Sequence, residues 1–225
     1  MARSTGQRRR TARARPRAST IATLAPLIRY PDDVPGDAAE RKNLDLESFL
    51  ALERGAAEKH ELWSGQAYAM AGASFVHNQI VANLVGELRA RLRGLACQAL
   101  PSDLRVFVPT KNGIVYPDTT ILCGERVLRD GSADVLLNPT VIVEVLSPDT
   151  EKFDRGEKFE GYRSIPSVAE VVLVAQHTRR VEHFARQPDG SWLLRVYRDS
   201  ERCPLPAPGI ELPLDEIYAG VELTD

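Results

Sequence analysis

Cysteine is scarce: there are three in 225 residues, at positions 97, 123 and 203. They are odd in number and far apart, so neither a disulfide framework nor a zinc knuckle is expected, and a reducing environment is. No run approaches the ~18 apolar residues that a membrane span needs. The longest apolar stretch, 168–175, is strand-sized and still contains Glu170. The basic start is followed only by a short apolar segment, 21–28, which Pro26 interrupts; it does not read as a secretory leader. The default expectation is a cytoplasmic protein with no membrane partner. Aromatic residues make up 6% of the chain, too few for the stacking platform of a glycosidase. No phosphate-cradling glycine loop, dinucleotide fingerprint or nucleophile elbow is present, which argues against those nucleotide-binding and hydrolase classes.

What is there is 43% hydrophobic, enough for one sizeable core and a tight fit for two. The net charge of −2 hides an asymmetry. Of 29 basic residues, seven arginines lie in the first twenty positions, leaving 22 against 31 acids, a net charge of −9 for the remainder. A generic basic nucleic-acid footprint is therefore absent from the body of the chain. Residues 1–42 lack periodicity and carry Pro16, Pro26, Pro31 and Pro35; they read as a disordered Arg/Pro-rich arm, and 43–225 as one domain.

Within that domain, Leu46, Phe49, Leu50 and Glu53 recur at helical spacing. The segments 60–63 and 66–70, around Ser64-Gly65, read as a hairpin. Residues 74–93 form a long helix with Ile80, Leu84, Leu88 and Leu92 in a stripe, stopped by Gly94. The second half reads as strands at 104–108, 114–122, 140–146, 168–175, 180–184 and 192–196. A helix over 152–164 and a short terminal one over 213–219 complete it. Interleaved helices and strands predict an α/β sandwich around a mixed sheet.

Three segments carry candidate chemistry. Asp118 follows Tyr116-Pro117 in a strand, where Asp is disfavoured. Glu144 interrupts the apolar run Val141-Ile142-Val143-Glu144-Val145-Leu146, where an ionised carboxylate is costly unless it meets a cation or donors. Asp154, Lys158 and Tyr162 fall on one face of the next helix. If the two strands are neighbours, Asp118 and Glu144 offer two hard oxygens, a suitable partial shell for Mg²⁺. The alternatives are a turn aspartate after proline for Asp118, a buried ion pair for Glu144, and an exposed i,i+4 pair for Asp154 and Lys158.

The set His60-Glu61-Leu62-Trp63-Ser64-Gly65-Gln66, His77, Tyr116-Pro117-Asp118, 144–150, Asp154…Lys158…Tyr162 and 169–174 resembles the Uma2 family of the PD-(D/E)XK nuclease superfamily. The resemblance covers about residues 43–220. It implies a restriction-endonuclease-like mixed β-sheet core flanked by helices, and metal-dependent hydrolysis of DNA. Asp118 and Glu144 would hold Mg²⁺ (or Mn²⁺), Glu61 would join the site, and a homodimer is expected by analogy. The lysine that the superfamily places two residues after Glu144 is Leu146 here, and Lys158 takes its part in the implied catalytic set Asp118, Glu144, Lys158, Glu61. A second departure lies at 171–175, where the family usually shows an aromatic pair and a terminal acid. The alternative is a catalytically degenerate member acting as a nucleic-acid or protein-interaction module.

Overall fold

In the computed structural model, Met1 and residues 43–70, 72–148 and 150–223 are described. The expected arm thus lies, Met1 apart, outside the described residues. The chain runs α1 (Leu46–Glu53), β1 (His60–Trp63), β2 (Gln66–Ala69), α2 (Phe75–Arg91), β3 (Cys97–Pro101), β4 (Arg105–Val108), β5 (Gly113–Val115), β6 (Thr119–Cys123), β7 (Val135–Leu136) and β8 (Val141–Leu146). It continues through α3 (Glu151–Phe153), a π turn (Asp154–Lys158), α4 (Phe159–Arg163), β9 (Glu170–Ala175), β10 (Arg180–Arg186), β11 (Trp192–Arg198), β12 (Arg202–Leu205), β13 (Ile210–Pro213) and α5 (Leu214–Ile217).

Local chemistry sets the boundaries. Asp45 caps α1, its carboxylate accepting from Ser48 N–H at 2.8 Å, and Ser74 caps α2 by accepting from His77 N–H at 3.1 Å. Each satisfies an N–H that a helix start leaves free. Ser64 and Gly65 both have positive φ (50° and 81°), the backbone a two-residue hairpin turn between β1 and β2 requires.

The strands form two main sheets. One has the order β2-β1-β5-β4-β7; the other has the order β11-β10-β9-β8-β6-β3 and is mixed, with β8 and β9 parallel and the other pairs antiparallel. Alternation along β8 divides the core. Val141, Val143 and Val145 pack with Ile80, Leu84 and Leu88 of α2. Ile142 and Leu146 face the other way, into a cluster with Trp63, Val106, Val115 and Tyr162. Glu144 shares their parity and so points between the sheets. α4 reaches this cluster because residue 161 is glycine: a Cβ there would lie 2.5 Å from Trp63 Cη2 and 2.9 Å from Val108 Cγ1.

The structure corrects the sequence reading in three places. The single strand expected over 114–122 is two strands, β5 in one sheet and β6 in the other. Pro117, which cannot donate to a ladder, lies in the linker between them, and Asp118 sits at that bend and not inside a strand. The expectation of no disulfide also fails. Cys97 and Cys123 stand opposite each other on β3 and β6 and are bonded. Their separation in sequence conceals a cross-strand pair, because 97–101 does not read as a strand. Lastly, the β12–β13 hairpin has no counterpart among the expected elements. Cys203 within it is buried and free.

Candidate active site

β6 and β8 are antiparallel neighbours with Thr119 opposite Val143, so the bend at Asp118 falls beside Glu144. The two are interlocked: Asp118 N–H donates to Glu144 Oε2 at 3.2 Å, and Val145 N–H donates to Asp118 Oδ2 at 2.7 Å. His77 Nε2, from the first turn of α2, lies 3.2 Å from the same Oδ2. Asp118 keeps 18% side-chain exposure, so the pocket opens to solvent there.

Lys158 enters from the π turn. Its ammonium lies 3.0 Å from Glu144 Oε1, 3.1 Å from Glu61 Oε1 and 3.6 Å from Asp154 Oδ1. All four side chains are nearly enclosed. The Tyr162 hydroxyl donates to Glu144 Oε1 at 2.5 Å. Glu61 Oε1 also accepts from Tyr116 N–H at 3.0 Å, which joins β1 to the linker bearing Asp118. The π turn is held over the pocket by Trp63, whose indole N–H donates to Glu157 Oε2 at 3.0 Å and whose ring stacks edge-on against Phe153. Single π turns inside helices are rare and recur at functional sites.

Four carboxylates therefore surround one ammonium and one imidazole, and the electrostatics follow. Burial pushes the Glu144 carboxyl up to about 8, with Lys158 opposing the rise and Asp118 and Asp154 adding to it. Asp154 rises for the same first reason, burial. For Lys158, burial disfavours the charge, but Glu144, Glu61, Tyr162 and Asp154 outweigh it and hold the proton on firmly. His77 follows the same pattern: burial works against its charge, while the hydrogen bond and charge of Asp118, then Glu144, raise it.

The four residues singled out from sequence, Asp118, Glu144, Lys158 and Glu61, are thus in one connected pocket. Glu61, on a hairpin strand whose residues are as often exposed, is 1% exposed. Two residues given less weight also belong to it. Tyr162 is bonded to Glu144, and His77 to Asp118; each carries a signal, lying at helical spacing from Lys158 and one turn before Ile80. Among the described residues, no three His, Cys, Asp or Glu side chains are grouped to cage a metal ion.

A mixed sheet flanked by helices, with one acid on a strand, a second at the bend that leads into the neighbouring strand and a lysine beside them, is a restriction-endonuclease-like arrangement. The family model described as "Uma2: Putative restriction endonuclease" matches residues 46–215, and the chain belongs to that family. It is 34% identical over 178 residues to the uncharacterized protein slr1290 of Synechocystis sp., covering 79% of this chain and 93% of that one. It is 35% identical over 156 residues to the uncharacterized protein sll1609 of the same organism, covering 69% and 88%. The fold matches the crystal structure of "a putative nuclease belonging to DUF820" from Anabaena variabilis, with a TM-score of 0.66 at 16% identity over 80% of this chain and 99% of that one.

Proposed function

We propose that the protein is a Mg²⁺- or Mn²⁺-dependent endonuclease that hydrolyses phosphodiester bonds of DNA. The observation that carries this reading is convergence. β1, the β5–β6 linker, β8 and the π turn each bring one ionisable side chain, Glu61, Asp118, Glu144 and Lys158, to one nearly enclosed cluster that reaches solvent at Asp118. Titratable side chains with strongly shifted pKa values that meet beside a solvent opening mark a functional site more often than an isolated ion pair does.

The donor set suits the proposed metal. Mg²⁺ takes one or two carboxylates and keeps several waters, so Asp118 and Glu144 with an open side at Asp118 match it, and an all-protein cage is not required. A bound divalent ion supplies an acidified water and neutralises charge on the phosphoryl oxygen. Lys158, protonated, donates to the phosphate or orients the attacking water. Glu61 holds Lys158, Tyr162 orients Glu144, and His77 restrains Asp118.

The test is cleavage of supercoiled and linear DNA with Mg²⁺, with Mn²⁺ and with chelator. Metal-dependent cutting that Asp118→Ala abolishes supports the reading; metal-independent cutting, or none on any DNA tried, overturns it. One observation favours a second reading, a degenerate interaction module: the Lys158 ammonium is already engaged by three carboxyl groups. Calorimetry separates the two, since a degenerate site shows no Mg²⁺ binding that Glu144→Gln removes.

A homodimer goes with this proposal by family analogy, since a duplex offers two strands to cut. A cytoplasmic location goes with the DNA substrate, and in that reducing compartment the Cys97–Cys123 pair would be held as thiols. Among the described residues no helix is long and apolar enough to cross a membrane.

A further inference from the structure

Behind the acidic pocket lies a second buried polar network that the proposed chemistry does not use. Its centre is Glu53, the last residue of α1, whose side chain is 2% exposed. An acid there is disfavoured twice. Burial removes its solvation, and the C-terminal end of a helix repels negative charge. Donors compensate. Glu53 Oε1 accepts from His60 N–H at 3.0 Å and from the Tyr116 hydroxyl at 2.8 Å, and Oε2 pairs with His60 Nδ1 at 3.0 Å. Arg105 Nε donates in turn to the Tyr116 hydroxyl at 2.6 Å.

The two residues that Glu53 grips each lead into the pocket. His60 precedes Glu61 on β1, and strand alternation turns Glu61 away from α1, towards Lys158. Tyr116 starts the Tyr116-Pro117-Asp118 linker, and its backbone N–H holds Glu61 Oε1 at 3.0 Å. One carboxylate thus fixes the spacing between the segment that delivers Glu61 and the segment that delivers Asp118.

We infer that Glu53 is a positioning residue for the acidic pocket, acting through His60 and Tyr116 to set Glu61 and Asp118. The inference deepens the metal-dependent reading above and rests on it only for its consequence in metal binding. The molecule contains its own control. Glu170 is a second buried acid paired with a histidine, His183 at 2.5 Å, and it accepts from Ala207 N–H at 2.6 Å. It ties β9 to β10 and to the turn between β12 and β13, and it touches neither segment that Glu53 grips. A general loss of buried polar bonding affects both acids alike, whereas a positioning role does not.

The experiment compares Glu53→Gln, Tyr116→Phe and Glu170→Gln with the parent chain by amide hydrogen exchange and by calorimetric Mn²⁺ titration. Glu53→Gln keeps the volume but replaces one acceptor oxygen by a donor. Tyr116→Phe removes only the hydroxyl and provides the test if Glu53→Gln does not fold. Exchange at the backbone amides of positions 116, 118 and 145 is expected to rise about tenfold or more in either variant, relative to Val172 and Val174. The Mn²⁺ dissociation constant is expected to rise about fivefold or more. Glu170→Gln should leave both readouts unchanged. Exchange at 116, 118 and 145 that stays at parent levels in a folded Glu53→Gln or Tyr116→Phe chain overturns the inference, as does an equal rise in Glu170→Gln. A parent chain that binds no Mn²⁺ yet shows the exchange pattern overturns the metal reading and upholds the role of Glu53.

Discussion

The Lys158 ammonium lies 3.0 Å from Glu144 Oε1, although the two leave different secondary structures. In the superfamily pattern the lysine shares the strand of its acid. Here the strand position is Leu146, which packs with Trp63, Phe153 and Tyr162. The charge has moved to the following helical segment while its contact with the acid is kept.

This contact sets the first prediction. Removing one partner of a buried pair strands the others' charge, at a cost of about 3–5 kcal/mol. Lys158→Met should therefore lower unfolding free energy by roughly that amount, read from urea denaturation of the metal-free chain. Adding Glu144→Gln should restore part of it, because the second change removes a carboxylate that the first left unpaired. Additive losses in this double-mutant cycle would mean that the two side chains are not coupled.

A second prediction concerns Gly161. Its missing Cβ lets α4 close on Trp63 and Val108. Alanine would gain about 1 kcal/mol of helix propensity, but a contact at 2.5 Å from an indole carbon forces movement, and overpacking typically costs about 1–3 kcal/mol. We expect Gly161→Ala to be destabilising on balance in thermal melts, and to weaken the hydrogen bond between Trp63 and Glu157, visible as a shift of the indole N–H resonance. An unchanged or raised melting temperature would show that α4 is not wedged against Trp63.

Much of this architecture is readable in the sequence, and the failures have physical causes. The α2 stripe announces itself because Ile80, Leu84 and Leu88 face one apolar sheet. β8 does so because it is buried on both faces, which also makes Glu144 conspicuous. β3 hides because 97–101 has neither clear alternation nor β-branched residues and ends in Pro101. The β12–β13 hairpin hides behind Pro204, Pro206 and Pro208, which look like a loop. A two-stranded ribbon tolerates proline because its outer edges need no ladder hydrogen bonds. Asp118 reads as a strand residue because a sheet change at Pro117 is a tertiary event with no local signature beyond the proline itself. Glu53 lies in plain view at helical spacing, but its partners arrive from β1 and the β5–β6 linker, and no pattern within α1 points to them.

The cysteines give a third prediction. Burial pushes the Cys203 thiol up to about 12, with the Glu170 charge adding to the rise. A thiol whose folded pKa is raised stays protonated and unreactive at neutral pH. Its contribution to stability is present below its unfolded pKa and is lost as pH rises from there towards 12. The oxidised native chain at pH 8 should therefore show no thiol that reacts rapidly with a chromogenic disulfide reagent. Denaturation should release one, and denaturation with reduction three. Cys97→Ser with Cys123→Ser opens a loop of 26 residues, which by chain entropy costs about 3.5 kcal/mol. Two or more reactive thiols in the oxidised, denatured chain would show that the cross-strand pair is not bonded.

The final prediction separates holding an acid in place from supplying its charge. Tyr162 is fully buried, and its hydroxyl donates to the same Glu144 oxygen that Lys158 contacts. Tyr162→Phe removes that donor and leaves the ring in the cluster with Ile165 and Leu173. A buried acceptor that loses one of two donors costs about 1–3 kcal/mol, and Glu144 is then oriented only by Lys158 and the Asp118 N–H. The expected result is a folded chain whose metal-dependent DNA cleavage falls about tenfold or more in kcat while KM for DNA changes little, because the hydroxyl orients a metal ligand and does not itself bind DNA. Glu144→Gln should instead abolish metal binding. If Tyr162→Phe raised KM at unchanged kcat, the hydroxyl would belong to DNA binding and not to the orientation of Glu144.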